Sequence, residues 1–276
     1  MHGRTRKFVV SGLLSLDEAI YSISAQEEQN LKVLMANSNQ ITLSIVSHGQ
    51  AFLIKSLLAD LVELPQQNFE VFITVNLPED ESPYQGYPFP LRIIRNDTPK
   101  GFGANHNAAF GQAKSKWFAV VNPDIRIKSL DLQALLLPFQ DQAVAAVAPV
   151  VLSIDGKVED SARRFPTLMR FAKRVLLRLR HTDYKVEVAP YQVDWVAGMF
   201  VVFRRDAYQQ IGGFDDRRFF MYLEDADICR RIGKKGWQVM VNPSGQVTHM
   251  AQRSSRRNLK HMRWHAVSAL RYLTGL

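Results

Sequence analysis

Apolar residues follow two different spacings along the first half of the chain, and these spacings predict alternating strands and helices. Four runs of apolar and β-branched residues predict strands, at Ile41–Ser47, Phe69–Val75, Leu91–Arg95 and Trp117–Val121. Apolar residues recur at helical spacing over 52–64, and a glycine-containing turn at 101–103 leads into a helix that ends near residue 114. This alternation predicts an α/β fold, with a mostly parallel central sheet flanked on both faces by helices.

Polar residues directly follow each of these predicted strands. In a sheet of this kind, ligands bind in the crevice beyond the carboxyl ends of the strands. The rule selects as candidate ligand-binding positions the loop residues Ser47, His48, Gly49, Asn76, Asn96 and Asn122 to Asp124. The candidate site therefore lies at one edge of the predicted sheet.

The second half of the chain is less regular but still predicts buried strands. Further strands are expected at 144–152, at 193–203 around Gly198 and at 238–248. A short helix is expected at 224–233, where it ends at a glycine.

Two more helices, at 168–179 and 259–273, have an apolar face and a basic face. We therefore divide the chain into an N-terminal extension at 1–40, loosely structured or helical, a main domain at 41–250, and a basic amphipathic C-terminal helix at 251–276.

The composition excludes several classes of protein. Of 276 residues, 46% are apolar and 22% are charged, which is the balance of a folded chain and not of a disordered or fibrous one. The single cysteine, Cys229, excludes an internal disulfide and a thiolate metal cage, and it is typical of a reducing compartment. Because no run of about 18 apolar residues is present, the sequence predicts no membrane-spanning helix.

The net charge of +9 is typical of a protein that binds nucleic acid, an anionic membrane or a phosphorylated substrate. The charge is concentrated in two clusters, at 163–185 and 253–271, while the rest of the chain is close to neutral. A nucleic-acid surface would interleave basic and aromatic residues. Here the aromatic residues at 219–222 adjoin acids instead, so we expect no nucleic-acid partner.

Acidic residues at two places have the chemistry of a catalytic site. Asp124 follows a buried strand, where a carboxylate can hold a divalent cation, although Asn-Pro-Asp taken alone is more typical of a turn. Glu224, Asp225 and Asp227 follow an aromatic run; a helix dipole favours acids there, and burial beside apolar rings also makes a carboxylate a competent base. His249 is either an ordinary polar residue or, as a neutral imidazole, completes a metal site with Asp124.

The Gly101-Phe102-Gly103 turn is not a dinucleotide fingerprint, because it lacks the third glycine and follows the third strand. We expect its glycines to let the backbone approach a ligand closely, with phosphate favoured at the start of the next helix.

Three blocks of sequence occur in a specific joint order. The first, at 96–124, contains Gly101-Phe102-Gly103, Asn107 and Asn122-Pro123-Asp124. The second, at 198–237, contains Gly212-Gly213-Phe214-Asp215 and the run from Phe219 to Arg231. The third runs from Asn242-Pro243 to His249. From about Ile41 to His249 the chain thereby resembles the family 2 inverting nucleotide-sugar glycosyltransferases, and within them the bacterial rhamnosyltransferase-like branch. The resemblance implies a Rossmann-like GT-A domain at 41–250.

The resemblance implies a role for each matching residue. Asp124 and His249 would hold Mg²⁺ or Mn²⁺ between the phosphates of the donor, where the cation neutralises the departing nucleoside diphosphate. Asp225 matches the base that takes the proton from the acceptor hydroxyl, and Glu224 would support Asp225 or contact the acceptor. The nucleotide-sugar pocket would be lined by Ser47, His48, Asn76, Asn96, Phe102, Asn107, Asn122 and Gly198.

The branch implies inverting transfer of L-rhamnose from dTDP-L-rhamnose to a hydroxyl of a cell-surface polysaccharide, a lipopolysaccharide glycan or a lipid-linked precursor. A UDP-sugar carrying galactose, N-acetylglucosamine or galactofuranose is the alternative donor. A homologue that binds nucleotide without catalysis is the alternative outside enzymology.

The sequence departs from the family pattern at two positions. Asn122 replaces the acid that often precedes the metal-binding Asp124 by two residues, so we expect a greater reliance on His249. The second strand ends in Val75-Asn76 instead of Asp-Asn, which leaves Asp80 or Glu81 as substitutes.

The two basic helices favour a peripheral location at the cytoplasmic face of the plasma membrane. A helix with an apolar face and a Lys/Arg face can lie in a membrane interface and gain from anionic lipid. In the alternative interpretation, both apolar faces pack on the core and the arginines face water.

Overall fold

The computed structural model describes residues 40–65, 68–128, 130–170, 182–250 and 259–275. Its strands are β1 Ile41–Ser47, β2 Phe69–Val75, β3 Leu91–Arg95, β4 Trp117–Val121, β5 Ile125–Arg126, β6 Val144–Ser153, β7 Ala162–Arg163, β8 Tyr191–Val193, β9 Trp195–Val196, β10 Phe200–Arg204 and β11 Gln238–His249. Its α-helices are α1 Ala51–Val62, α2 Phe102–Gln112, α3 Leu132–Leu136, α4 Arg205–Gln210, α5 Glu224–Lys234 and α6 Leu259–Thr274. Short 3-10 turns lie at Ser82–Tyr84 and Leu137–Gln140.

The structure confirms the four strands predicted in the first half of the chain and corrects one prediction in the second half. The single strand expected at 193–203 is wrong, because this stretch contains β9 and β10 and the end of β8. Strand β8 pairs with β11, β9 pairs with β7, and β10 pairs with both β4 and β6, so the chain must turn between these strands. The predicted helix at 168–179 lies mostly outside the described residues, as do residues 1–39 and 251–258.

The main sheet has the order β3-β2-β1-β4-β10-β6-β11-β5, and β8 also pairs with β11. The prediction of parallel strands holds for β1 to β4, which run parallel to one another in the order β3-β2-β1-β4. Beyond β4 the sheet is mixed, since β10 is antiparallel to β4 and β6, and β11 is parallel to β6. The reversal at β10 matters for the site, because it brings the beginning of β10 to the same edge as the end of β4.

Both faces of the sheet are covered, as expected for parallel strands. On one face, β1 packs its apolar side chains with the inward stripe of α1, formed by Ile54, Leu57, Leu58 and Leu61. The other face packs around large rings that include Phe118, Phe203, Tyr208 and Phe214. Because side chains alternate between the two faces along β1, Ser44 contacts α2 instead, and its Oγ lies 2.8 Å from Nδ1 of His106.

In the described part of the chain, no helix is long and apolar enough to cross a bilayer.

Candidate active site

Asp124 and His249 meet where β5 pairs with the end of β11. His249 Nε2 lies 3.2 Å from Asp124 Oδ2, and the N–H of Met250 donates to the carbonyl oxygen of Asp124 at 2.8 Å. On the other side of the imidazole, Nδ1 lies 2.8 Å from Oε2 of Glu159. The histidine is therefore held between two carboxylates.

These carboxylates control the charge of the imidazole. Burial by itself lowers the pKa of His249, but the hydrogen bond and charge of Asp124, followed by those of Glu159, outweigh burial and raise the pKa to about 9. Without a metal, His249 is thus a cation at neutral pH that donates from both ring nitrogens. A metal bound at Nε2 replaces that proton.

Asp225 lies in the first turn of α5, immediately after an unusual turn of the backbone. Tyr222 and Leu223 both have positive φ angles, of 75° and 64°, which non-glycine residues rarely adopt. The carboxylate of Asp225 accepts hydrogen bonds from the N–H of Gly198 at 3.2 Å and from that of Ala226 at 2.8 Å. Two main-chain donors thus fix the carboxylate in one orientation.

Glu224 and Asp225 are adjacent in sequence but differ in environment. Burial, followed by the charge of Asp225, raises the pKa of Glu224 to about 8, so Glu224 is largely protonated at neutral pH. Burial also raises the pKa of Asp225, but the N–H groups of Gly198 and Ala226 and the charge of Arg163 oppose the shift. Asp225 is therefore the member of the pair that is ionised first and can accept a proton.

The segment before β10 connects the two halves of the site. The N–H of Asn122 donates to the carbonyl oxygen of Met199 at 2.8 Å, and the neighbouring Gly198 binds Asp225. Because the Asn122 turn continues into Asp124, the metal-binding candidates and the candidate base converge on one edge of the sheet. A Cβ at position 198 would lie 3.0 Å from Cζ of Phe102, which places that ring against the same segment.

The sequence pattern of the family described as glycosyltransferase like family 2 matches residues 39–266, which is most of the chain. The chain belongs to this family. Family 2 glycosyltransferases with related sequences include the N-acetylglucosaminyl-diphospho-decaprenol L-rhamnosyltransferase of Mycobacterium tuberculosis, 28% identical over 84% of this chain and 82% of the relative. Rhamnosyltransferase WbbL of Escherichia coli is also 28% identical, over 84% of this chain and 92% of the relative.

Solved structures show the GT-A fold of this glycosyltransferase. GalNAc-T7 with UDP, GalNAc and Mn²⁺ has a TM-score of 0.60 at 14% identity, and the match covers 78% of this chain and 44% of the other. The mannosyltransferase PcManGT from Pyrobaculum calidifontis, in complex with GDP-Man and Mn²⁺, has a TM-score of 0.56 at 17% identity, over 84% of this chain and 64% of the other. At these identities the likeness concerns the fold alone.

The residues at the Asp124 turn of this glycosyltransferase fit a divalent cation. Asp124 Oδ1 is buried and has no hydrogen-bond partner among the described residues, which fits an oxygen that could bind a cation. A carboxylate oxygen and an imidazole nitrogen suit Mn²⁺ as well as Mg²⁺, with a softer preference for Mn²⁺ because of the nitrogen. In the described part of the chain, no cluster of three His, Cys, Asp or Glu side chains that could hold a metal occurs.

Among the residues predicted for the nucleotide pocket, Asn76 and Asn96 form one polar network after β2 and β3. Asn76 is buried, and its Oδ1 accepts from Asn96 Nδ2 and from the N–H of Lys100, both at 2.8 Å. Asn96 Nδ2 also donates to Oδ1 of Asn105 at 2.6 Å. His48 joins the network through Nδ1, 2.9 Å from Asn76 Nδ2. These amides shape the loop before α2, and their contact with a nucleotide stays a prediction.

Other predicted pocket residues are distributed around this network. Ser47 is buried, and its Oγ accepts from the N–H of Gln50 at the start of α1. Asp80 and Glu81 are the expected substitutes for the acid that is missing at the end of the second strand, and both contact other residues. Glu81 forms an ion pair with Arg95, and Asp80 accepts hydrogen bonds from Ser82.

The glycines at the start of α2 serve protein packing, which differs from the expectation that they approach a ligand. A Cβ at Gly101 would overlap the carbonyl oxygen of Phe220, and one at Gly103 would overlap the side chain of Phe214. The N–H of Phe102 donates to the same Phe220 carbonyl at 3.0 Å, so this donor at the helix start is already used.

Asn107 likewise connects α2 to the turn before the base. Its Nδ2 donates to the carbonyl oxygen of Phe214 at 2.8 Å, and its Oδ1 accepts from Tyr208 Oη at 2.8 Å and from the N–H of Phe214 at 3.0 Å. The contact of Asn107 with a nucleotide stays a prediction.

Sequence reasoning missed two residues of the site, Glu159 and Arg163. Glu159 holds His249, and Arg163 carries a positive charge close enough to Asp225 to oppose the rise in its pKa. Arg163 pairs with Trp195 between β7 and β9, in the segment that leads to Gly198. By sequence Arg163 belongs to the basic cluster at 163–185, and the sequence offers no motif for either residue beyond their closeness on one short segment.

Proposed function

We propose that this glycosyltransferase moves L-rhamnose from dTDP-L-rhamnose to a hydroxyl of a cell-surface polysaccharide or lipid-linked glycan precursor, with inversion at the anomeric carbon. The observation that carries the proposal is the oriented carboxylate of Asp225, joined through Gly198 and Met199 to the Asp124 turn. The relatives named as rhamnosyltransferases support the choice of sugar.

In the proposed reaction Asp225 acts as general base. Its carboxylate takes the proton from the acceptor hydroxyl while that oxygen forms a bond to the anomeric carbon. The bond from that carbon to the phosphate oxygen breaks, and its electron pair leaves with the nucleoside diphosphate. One displacement inverts the configuration, so the protein needs no nucleophile.

Neighbouring residues prepare this step. The N–H groups of Gly198 and Ala226 hold the Asp225 carboxylate, and together with the charge of Arg163 they oppose the rise in its pKa that burial causes. Asp124 and His249 would hold Mg²⁺ or Mn²⁺, which when bound stabilises negative charge on the leaving diphosphate. Glu159 keeps the imidazole aligned for that task.

We further propose that α6 makes peripheral contact with an anionic membrane at the cytoplasmic face, where a lipid-linked acceptor would be found. Met262 is 59% exposed and Leu270 61% exposed, so α6 presents apolar side chains to the surroundings. Basic residues adjoin them in the sequence, at 256, 257, 260 and 263.

The experiment is a donor panel with two Asp→Asn variants. The wild-type protein with Mn²⁺ is expected to hydrolyse or transfer from dTDP-L-rhamnose in preference to UDP-galactose, UDP-N-acetylglucosamine and UDP-galactofuranose. Asp225→Asn should lose transfer by about 10²–10⁴-fold while dTDP affinity stays nearly intact. Asp206→Asn, an exposed acid in the first turn of α4, is the matched control. Preference for a UDP-sugar would replace the proposed donor, and loss of dTDP binding in Asp225→Asn would contradict the role of base.

A further inference from the structure

The C-terminal helix α6 packs directly on the segment that leads to the base. Ser268 Oγ donates to the carbonyl oxygen of Met221 at 2.8 Å. Arg218 and Arg271 each donate to the carbonyl oxygen of the other, at 2.7 and 2.6 Å. Because Met221 lies four positions before Asp225, these contacts place α6 beside the catalytic crevice.

Aromatic and imidazole rings fill the junction between α6 and this segment. Tyr222 stacks on His265, with ring centroids 4.4 Å apart and planes 20° apart, and its Oη lies 2.7 Å from Nδ1 of His261. The ring of Phe220 lies 4.9 Å from that of Trp264. We call Phe220, Tyr222, His261, Trp264 and His265 the aromatic platform.

The platform adjoins the base and remains accessible. Burial lowers the pKa of His265, while the charge of Asp225 raises it and that of Arg163 lowers it. The left-handed turn at Tyr222 and Leu223 leads from the platform straight into Glu224 and Asp225. Phe220 is 39% exposed and His265 is also exposed.

Such a surface has the chemistry of a sugar site. The C–H groups on one face of a pyranose pack on aromatic rings, and imidazole and phenol groups exchange hydrogen bonds with its hydroxyls. The platform comes from α6 and the segment 218–223, whereas Asp124 and His249 come from the β4–β5 turn and β11. The platform and the candidate metal ligands are therefore separate sets of residues, one for each substrate.

We propose that the aromatic platform is the acceptor subsite, which holds the pyranose ring of the acceptor while its hydroxyl contacts Asp225. This inference rests on the proposed function, since it requires that Asp225 activate an acceptor. The proposal gives a binding role to the α6 residues that contact Phe220 and Tyr222, which differ from the exposed apolar residues Met262 and Leu270 of the same helix.

The test separates acceptor binding from donor binding. The probes are an N-acetylglucosaminyl diphosphate with a short alkyl chain and the matching alkyl N-acetylglucosaminide without phosphates, each measured by calorimetry in the presence of dTDP and Mn²⁺. Trp264→Ala is expected to weaken binding of both probes by about tenfold or more and to leave dTDP affinity within about twofold. Trp264→Phe should recover most of the affinity, and Leu137→Ala, an apolar residue that is 55% exposed outside the platform, should behave as wild type.

Each outcome has a defined meaning. Equal probe affinity in Trp264→Ala and the wild-type protein overturns the subsite, as does equal weakening of probe and dTDP, which would indicate a general structural role. Weakening of the diphosphate probe alone would replace sugar stacking by phosphate recognition and also overturn the inference. Absence of dTDP binding and donor turnover in the wild-type protein would instead be a failure of the proposed function.

Discussion

His249 Nε2 lies 3.2 Å from Asp124 Oδ2 although 125 positions separate the two residues in the chain. The contact exists because Ile125 of β5 pairs with His249 at the end of β11. Glu159 occupies the opposite side of the imidazole, so the imidazole lies between the carboxylates of Glu159 and Asp124. In metal sites, an outer carboxylate of this kind orients the histidine and raises its basicity.

Removal of the outer carboxylate should weaken metal binding. Glu159→Ala is expected to lower Mn²⁺ affinity by about 10–100-fold, because the imidazole loses the partner that orients it. Glu159→Gln keeps an acceptor for Nδ1–H and should lie between this variant and the wild-type protein. Calorimetry with Mn²⁺ and dTDP measures the effect, and Asp155→Asn, at a surface ion pair with Lys157, is the control. Unchanged affinity in Glu159→Ala would show that His249 needs no support.

The different environments of the adjacent acids predict different kinetics for their amides. Glu224→Gln replaces a largely protonated side chain by a neutral one of equal size, so kcat should stay within about tenfold of the wild-type value. Asp225→Asn removes the base and should lower kcat by about 10²–10⁴-fold. Steady-state transfer assays at pH 7 compare the two variants. A larger loss in Glu224→Gln than in Asp225→Asn would reverse the assignment.

The buried Glu224 also makes stability depend on pH. Its folded-state pKa of about 8 exceeds the ordinary value of 4.5, so between these values the unfolded chain releases a proton that the folded protein keeps. The contribution to stability is complete below pH 4.5 and decreases as the pH rises towards 8. Glu224→Gln cannot ionise, so its free energy of unfolding relative to wild type should rise by at least about 1 kcal/mol from pH 5 to pH 8. Thermal unfolding at both values measures this difference, and a constant difference would contradict it.

Two glycines near α2 provide a matched test of packing. Gly101→Ala places a methyl group on the carbonyl oxygen of Phe220 and should cost about 1–3 kcal/mol of unfolding free energy. Gly111→Ala, inside α2, meets no atom within 4 Å and should stabilise the protein by about 0.5–1 kcal/mol. Urea unfolding measures both. Equal effects of the two substitutions would show that Phe220 does not contact the start of α2.

Membrane contact through α6 predicts binding that depends on lipid charge. At low salt the protein should co-sediment with vesicles that contain phosphatidylglycerol and not with phosphatidylcholine alone, since each basic residue near the surface contributes about 1 kcal/mol. Met262→Ser with Leu270→Ser should reduce binding, whereas Leu137→Ser should not. If the wild-type protein ignores anionic vesicles at low salt, the peripheral location is wrong.

Local sequence patterns sufficed for the strands of the first half and for the choice of candidate site residues. The strands β1, β2 and β4 are buried almost throughout, so each appears as an apolar run that ends at a polar residue such as Asn76 or Asn122, whereas β3 is a partly exposed edge strand. Motifs predict Asp124, Asp225 and His249 as candidates, and the pairing of β5 with the end of β11 brings Asp124 and His249 together. The helical spacing of apolar residues also predicts α6, which the structure places at Leu259–Thr274.

The contacts among these residues depend on the tertiary structure, because they join segments far apart in the chain. Spacing could not show that β10 runs antiparallel and returns Gly198 to the end of β4, where its N–H meets Asp225. The sequence also does not show that the charge of Arg163 acts on Asp225 or that Glu159 holds His249, because both residues have the pattern of exposed charged side chains. Hydrophobic periodicity records which face of an element is buried, whereas strand order and register decide which polar side chains meet beyond the sheet.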